Sequence, residues 1–211
     1  MASIAARAWA LVVPPFCWEC GSDARVGEPL CPRCRGELRW LGPESVRVSG
    51  VEVWAPVAYE GPGRALVRGL KYRGAVGLAE PMAAAICAGA PALEGALVPV
   101  PLHPRRRRQR GYNQAERLAA AVARRTGREV ADCLERRGPS GARQVGRGRA
   151  ERLGGSGLAM SVEEGAAVPA RAVLVDDVCT TGATLAACAA ALRAAGAACV
   201  TALVYARTPG R

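Results

Sequence analysis

Apolar residues along this chain follow a strand period in some segments and a helical period in others, and the two alternate from residue 51 onward. Strands are predicted over 51–59, where apolar and polar residues alternate, and over the apolar segments 97–102, 172–175 and 199–205, whereas helical spacing covers 64–72, 78–89, 115–125 and 185–195. Pro56 favours an edge position for the first strand. Because alternating strands and helices indicate βαβ units, we predict an α/β fold with a mostly parallel sheet flanked by helices.

The remaining segments carry weaker periodic signals. Residues 37–50 look like a connector. Residues 1–13 could pass for a weak signal peptide, but their basic and apolar regions are poorly separated, so we interpret them as a short helix. Residues 140–157 are rich in glycine and arginine, which indicates either a mobile loop that closes over an anionic ligand or a disordered surface arm. No uncharged apolar run reaches about 18 residues, so we expect no membrane span.

The segment 172–184 joins a strand to a helix through two acids and a hydroxyl-rich turn. Asp176 and Asp177 follow the apolar run, and Thr180-Thr181-Gly182-Ala183-Thr184 leads into an alanine-rich helix. Backbone N–H groups and hydroxyls at a helix N-terminus converge where the helix dipole is positive, which suits a phosphate group. The carboxylates suit sugar hydroxyls or a hydrated Mg²⁺. The alternative is a plain connection whose acids cap the helix.

A second strand–loop–helix unit carries a dense run of arginine. The strand over 97–102 ends at His103-Pro104, and the predicted loop then reads Arg105-Arg106-Arg107-Arg108-Gln109-Arg110-Gly111. Guanidinium groups at the end of a buried strand suit a polyanion, either pyrophosphate or a nucleic-acid backbone, and the alternative is a solvated basic loop. His103, the one histidine, is either structural or an acid–base catalyst.

Charge and the one lysine refine this picture. The net charge of +11 favours a polyanionic partner. However, Lys71 is the only lysine among 29 basic residues, so the rest are arginine, and this bias could reflect the base composition of the coding sequence. The position of the arginines therefore decides more, and they cluster at 105–110, 124–128, 136–137 and 143–152. Lys71 ends the helix over 64–72, before Gly74 as its expected C-cap. It is either a solvated cation or a compact ammonium group kept for phosphate.

Four of the nine cysteines form two CxxC pairs near the N-terminus. Cys17, Cys20, Cys31 and Cys34 can close one tetrahedral thiolate site, as in a structural zinc ribbon. Two unrelated pairs or a redox CxxC are the alternatives, but no βαβ pattern surrounds either pair. The odd number of cysteines argues against a disulfide framework and for a reducing cytoplasm.

The residues Leu174-Val175-Asp176-Asp177-Val178-Cys179-Thr180-Thr181-Gly182-Ala183-Thr184 resemble the phosphoribosyl pyrophosphate signature of type I phosphoribosyltransferases. The resemblance implies that Asp176 and Asp177 bind the ribose hydroxyls. It implies that the 5′-phosphate is held by Thr180, Thr181, Gly182, Ala183 and Thr184.

A closer resemblance covers nearly the whole chain. The paired CxxC motifs, Lys71-Tyr72-Arg73-Gly74, Val98-Pro99-Val100-Pro101-Leu102-His103, Arg110-Gly111-Tyr112-Asn113-Gln114 and the Asp-Asp turn occur in an order that resembles the ComF family. These are phosphoribosyltransferase-fold proteins associated with DNA uptake in competent bacteria. The resemblance implies a pyrophosphate loop near 100–114 and a mobile segment over 143–155. There Gln144 and Arg152 fit, whereas Arg147 and Gly155 stand where Leu and Asn are usual.

Two functions follow from these observations. The first is a phosphoribosyltransferase that acts with Mg²⁺ in DNA uptake on an unknown acceptor: Asp176 and Asp177 serve catalysis, and pyrophosphate is held by Lys71, Arg105, Arg110 and Gly111. The second is a non-catalytic zinc-containing adaptor for single-stranded DNA, although 4% aromatic residues provide little base stacking. Both place the chain in the cytoplasm, with a zinc-ribbon module over 1–45 and a phosphoribosyltransferase-like domain over 46–211.

Overall fold

A computed structural model of the protein describes residues 15–91, 94–137 and 159–210. The predicted N-terminal helix over 1–13 lies outside the described residues. The same holds for the whole of the predicted glycine- and arginine-rich loop, including Gln144, Arg147, Arg152 and Gly155.

The described residues contain eight strands and six α-helices. The strands are β1 Val46–Val48, β2 Val51–Trp54, β3 Val57–Ala58, β4 Ala96–Pro99, β5 Leu134–Arg137, β6 Ala159–Val162, β7 Arg171–Cys179 and β8 Cys199–Arg207. The helices are α1 Pro32–Gly36, α2 Gly61–Tyr72, α3 Ala79–Gly89, α4 Pro104–Arg110, α5 Gln114–Thr126 and α6 Ala183–Ala194, with a 3₁₀ turn at Val76–Leu78 before α3.

The central sheet is mostly parallel, as predicted. Its strand order is β1-β2-β8-β7-β4, and β3 continues along β8 beyond the end of β2. All neighbours are parallel except β1, which pairs antiparallel with β2. The register sets Val173 beside Thr201 on one side and Leu97 on the other. The carboxyl ends of β3, β4, β7 and β8 therefore share one edge of the sheet, where ligands of open parallel sheets bind.

Two sequence predictions at the other side of the sheet are wrong. The predicted connector over 37–50 contains β1, which is only three residues long and so gives a weak periodic signal. Because β1 covers β2, the strand predicted for the edge is an inner one, and Pro56 interrupts it between β2 and β3 instead.

Alternate residues of β7 enter two separate apolar clusters. Val173 and Val175 pack in a cluster with side chains of α2, α3 and α5, whereas Ala172 and Leu174 pack in one with side chains of α6. Burial on both faces explains why the strand is a continuous apolar run rather than an alternating one. A short antiparallel pair, β5 and β6, adds Leu134 to the second cluster. The sequence analysis missed it because both strands mix polar and apolar residues.

The cysteine-rich segment packs directly on the rest of the chain. Cys17, Cys31 and Cys34 belong to the same apolar cluster as Leu66 and Leu70 of α2. A domain boundary near residue 45 stays a prediction, but the side chains on either side of it share one core. Within residues 15–91, 94–137 and 159–210, no helix has the length and apolarity needed to cross a membrane.

Candidate functional site

The strand β7 extends farther than the sequence predicted. Its pairing with β4 ends at Pro99 beside Val175, while its pairing with β8 continues as far as Cys179. The strand thus includes Asp176 and Asp177, which we predicted to follow it. Both acids lie where the sheet has lost β4 as a neighbour.

Asp177 is a fully buried carboxylate beside the one lysine. Lys71 Nζ, at the end of α2, lies 3.0 Å from Asp177 Oδ1, and the exposed fractions of the two side chains are 17% and 0%. At this distance the two groups form an ion pair. Neither carboxylate oxygen has a hydrogen-bond partner among the described residues. A buried carboxylate without hydrogen bonds is costly, which makes Asp177 a candidate for contact with a ligand.

The electrostatics of the acid pair involve three groups. Burial lowers the pKa of Lys71, but the charges of Asp177 and Asp176 outweigh burial and raise it, so the ammonium stays protonated at neutral pH. Burial and the charge of Asp177 together raise the pKa of Asp176, against the opposing effect of Lys71. Asp176 Oδ1 also accepts a hydrogen bond from the Asp177 backbone N–H at 2.8 Å.

The turn after β7 leads into an unblocked helix N-terminus. Gly182 has φ +76° and is the N-cap of α6, and Thr180, Thr181 and Ala183 are exposed. The first turn of α6 contains no acid, and Ala183 N–H lies 3.5 Å from Thr181 Oγ1. The positive end of the helix dipole thus lies at an exposed turn, as an anion requires. The predicted phosphate residues are thus adjacent to each other and to the acids along the chain.

A hairpin that the sequence analysis missed supports this turn. Ser49, between β1 and β2, donates a hydrogen bond from Oγ to the Thr181 carbonyl at 2.9 Å, and it has the unusual φ of +48°. A Cβ at Gly182 would lie 2.5 Å from Cγ1 of Val48. The hairpin therefore requires glycine at 182. No local signal could have identified Ser49, because the contact joins residues far apart in sequence.

The predicted arginine-rich loop is mostly helix, which corrects the sequence prediction. Residues Pro104–Arg110 form α4, and Gly111 ends it with φ +80°. Proline at the first helical position, a run of arginine and a glycine stop all favour this short helix. His103 Nδ1 accepts a hydrogen bond from Arg105 N–H at 3.2 Å. His103 thus caps α4, which supports its structural alternative.

Two further residues, which the sequence analysis did not select, fix α4 relative to the sheet and α2. Asn113 Nδ2 donates to the Val100 carbonyl at 3.0 Å, while Asn113 Oδ1 caps α5 through Ala115 N–H at 3.1 Å. The Tyr112 hydroxyl donates to the Leu70 carbonyl. An asparagine just before a predicted helix is a recognisable N-cap signal, so Asn113 could have been found from the sequence.

A cavity of about 420 Å³ separates the end of α2 from α4. It is lined by Lys71, Tyr72, Gly74, Arg106, Gln109 and Arg110. Of the predicted pyrophosphate residues, Lys71 and Arg110 therefore line it, while Arg105 and Gly111 do not. The guanidinium carbon of Arg110 lies 5.4 Å from the centre of the Tyr72 ring. Three cations around one cavity, one of them paired with the buried Asp177 carboxylate, suit a ligand that has both phosphate groups and hydroxyls.

The four predicted metal ligands come together. The Sγ atoms of Cys17, Cys20, Cys31 and Cys34 all lie within 4.8 Å of one another. Cys20 and Cys31 are 3.8 Å apart, and tetrahedral zinc with bonds of about 2.3 Å spaces its sulfur ligands by about 3.8 Å. A hydrogen bond from Ser22 lowers the pKa of Cys20 to about 6, which favours a thiolate. The donor set fits a closed structural site for a metal such as zinc.

Comparison with known proteins supports the ComF resemblance over part of the chain. The chain is 39% identical over 88 residues to the competence protein ComFC of Streptococcus pneumoniae (strain ATCC BAA-255 / R6). The match covers 42% of this chain and 37% of ComFC, so this chain spans well under half of that relative. No protein-family model matches the chain.

Proposed function

We propose that this protein binds phosphoribosyl pyrophosphate with Mg²⁺ at the carboxyl edge of the sheet. The observation that carries the proposal is the buried Asp177 carboxylate, which contacts Lys71 and has no hydrogen-bond partner among the described residues. A ribose hydroxyl or a hydrated cation would supply the missing partners. The exposed N-terminus of α6 lies one short turn farther along the chain.

Each part of this ligand has a matching group in the site. The 5′-phosphate would lie on Thr180, Thr181, Gly182, Ala183 and Thr184, and the ribose hydroxyls on Asp176 and Asp177. Pyrophosphate would contact Lys71 and Arg110 in the cavity, with Arg105 and Gly111 at the ends of α4. Carboxylate oxygens are the donors that Mg²⁺ prefers, so the acid pair also fits the cation.

The chemistry that this arrangement would assist is transfer of ribose 5-phosphate. The bond from C1 to pyrophosphate breaks and a bond from C1 to an acceptor nucleophile forms, without a covalent enzyme intermediate. The arginines and Lys71 stabilise the departing anion, and the carboxylates stabilise the positive charge that develops on the ribose. We assign this activity to DNA uptake and its machinery because the chain is similar to a competence protein, ComFC.

Calorimetric titration with phosphoribosyl pyrophosphate and Mg²⁺ tests the proposal. We expect micromolar binding to the wild type and at least a tenfold loss in Asp177→Asn, since a charged hydrogen-bonding partner contributes about 1.5–3 kcal/mol. Arg193→Ala, at the opposite end of α6, is the matched control and should bind like the wild type. The absence of binding to wild-type protein would refute the proposal.

A non-catalytic adaptor for single-stranded DNA is the second candidate. It is favoured by Arg105, Arg106 and Arg108, which are exposed on α4 and have no carboxylate at ion-pair distance in the described part of the chain. Phosphate contacts of this kind make the affinity fall steeply with salt, with a slope of about −0.7 per contact for single strands. An oligonucleotide affinity that does not change between low and physiological salt would exclude this candidate.

A further inference from the structure

A second cationic pocket borders α2, separate from the cavity beside Lys71. Its volume is about 210 Å³, and it shares no lining residue with that cavity. Its walls come from the first CxxC knuckle and from α2, through Trp18, Glu19, Arg64, Ala65, Arg68 and Arg73. None of these residues belongs to the site proposed for phosphoribosyl pyrophosphate.

The charges around this pocket are not balanced. Arg64 and Arg68 are four residues apart on α2 and so project from one face, and Arg73 follows the end of the helix. Glu19 is the one carboxylate among the lining residues. Across residues 15–91, 94–137 and 159–210, none of the three arginines has a carboxylate within ion-pair distance.

Other arginines nearby do form ion pairs. The pairs Arg33–Glu37, Arg35–Glu28 and Arg39–Glu60 have distances of 3.0, 3.0 and 3.2 Å. Within the described residues, Arg64, Arg68 and Arg73 are thus without a carboxylate partner although other arginines close to them in the chain have one. Three guanidinium groups that repel one another gain most from an anion with more than one negative charge.

The apolar side of the pocket is held in place before any ligand binds. Trp18 packs so closely on α2 that a Cβ at Gly69 would lie 2.8 Å from its Cε3 atom. The Trp18 backbone N–H also donates to the Pro29 carbonyl at 3.0 Å, and its neighbour Cys17 belongs to the four-cysteine cluster. A preformed wall lowers the ordering cost of binding. The volume is below the roughly 300–1,000 Å³ of pockets for drug-sized ligands, so it suits a compact ligand.

We propose that this pocket binds a compact anion with two phosphate groups, through Arg64, Arg68 and Arg73. The anion is either free diphosphate or the diphosphate end of a nucleotide, whose base would contact the Trp18 ring. This site goes beyond the proposed function, because none of its lining residues belongs to the cavity proposed for phosphoribosyl pyrophosphate. Arg68→Ala alone should therefore leave the affinity for phosphoribosyl pyrophosphate with Mg²⁺ unchanged.

Titration with inorganic pyrophosphate at fixed ionic strength tests the pocket. All proteins carry Arg110→Ala, which reduces pyrophosphate binding in the first cavity by removing one of its cations. The full chain is used without chelator, so that any metal at the four cysteines is retained. We expect Arg68→Ala to weaken binding about tenfold, the loss of roughly one charged hydrogen bond, and Arg193→Ala to have no effect. Both arginines are exposed, and thermal melting checks that each variant folds. Equal binding by the Arg68→Ala and Arg193→Ala proteins would overturn the proposal.

Two further titrations identify the source of the phosphate. Tighter binding of a nucleoside diphosphate than of pyrophosphate, with a Trp18-dependent fluorescence change that Trp18→Phe removes, supports a nucleotide. Equal affinities support free diphosphate. If Arg68→Ala weakens binding of a single-stranded oligonucleotide but not of pyrophosphate, the pocket belongs to a nucleic-acid surface and the compact-anion proposal is wrong.

Discussion

At the residue scale, the site depends on one buried ion pair. Asp177 has no exposed surface and no hydrogen-bond partner in the described structure, so Lys71 supplies its compensating charge. The sequence analysis left the role of Lys71 undecided because a cation at a helix end is usually solvated. Its ion pair depends on how α2 crosses the end of β7, a tertiary relation that no local pattern contains.

Removing Lys71 should destabilise the fold. Lys71→Ala leaves Asp177 as an unpaired buried charge, so we expect the free energy of unfolding to fall by about 3 kcal/mol in urea titration. The double variant Lys71→Met/Asp177→Asn removes both charges and should recover most of this loss. Wild-type stability in Lys71→Ala would show that the ion pair does not form.

The raised pKa of Asp176 predicts how stability changes with pH. An aspartate in the unfolded chain has a pKa of about 3.9, and below that pH the group is protonated in both states. As the pH rises, the unfolded chain loses this proton first, so Asp176 reduces stability until the pH passes its higher folded pKa. Between these two pKa values the wild type should therefore lose stability relative to Asp176→Asn, as measured by urea unfolding. Parallel pH profiles for the two proteins would contradict the raised pKa.

At the element scale, two turns hold the site together: the β1–β2 hairpin and the start of α6. Gly182 has φ +76° and approaches Val48, whereas Gly127, with φ +70° at the end of α5, has open space around it. The two glycines have the same backbone conformation and differ in their surroundings. They form a matched pair for substitution.

We expect Gly182→Ala to be more harmful than Gly127→Ala. In both variants an alanine in the left-handed conformation lowers the free energy of unfolding by about 1 kcal/mol. In Gly182→Ala the new Cβ must also move the hairpin away from Thr181. Urea unfolding should show a loss above about 2 kcal/mol for Gly182→Ala, and its affinity for phosphoribosyl pyrophosphate should fall. Equal losses in the two variants would mean that the hairpin does not restrain the turn.

The elements also show what the sequence could and could not predict. The long apolar strands and amphipathic helices were predicted within a few residues, because each carries its own period. The boundaries of β7 were wrong, because two acids inside a strand look like its end. Helix α4 was predicted as loop, since its arginines carry no apolar period. Strand β1 is too short to carry a period, and Ser49 acts through a contact with the distant Thr181.

At the scale of the whole molecule, the four-cysteine cluster stabilises one side of the sheet domain. Its buried cysteines share an apolar cluster with α2, which carries Lys71 toward the candidate site and Arg68 toward the second pocket. Loss of the metal should therefore affect more than the cysteine-rich segment.

Zinc removal should lower the stability of the whole chain. Purified protein should contain about one zinc ion, and chelation should lower the melting temperature and expose Trp18, since ligand binding and folding are coupled at structural sites. Cys87→Ser, outside the cluster, is the control and should retain the metal. Less than half an equivalent of zinc together with four reactive thiols would contradict a structural metal.

The central claim is that the ligand lies where β7 meets α6. A crystal structure of the protein with phosphoribosyl pyrophosphate and Mg²⁺ tests it most directly. We predict density for the 5′-phosphate at the backbone N–H groups of 181–184, and for the ribose hydroxyls within hydrogen-bond distance of Asp176 or Asp177. A ligand seated only on α4 or in the Arg68 pocket, with Asp177 still paired to Lys71 alone, would contradict the assignment of this edge as the phosphoribosyl site.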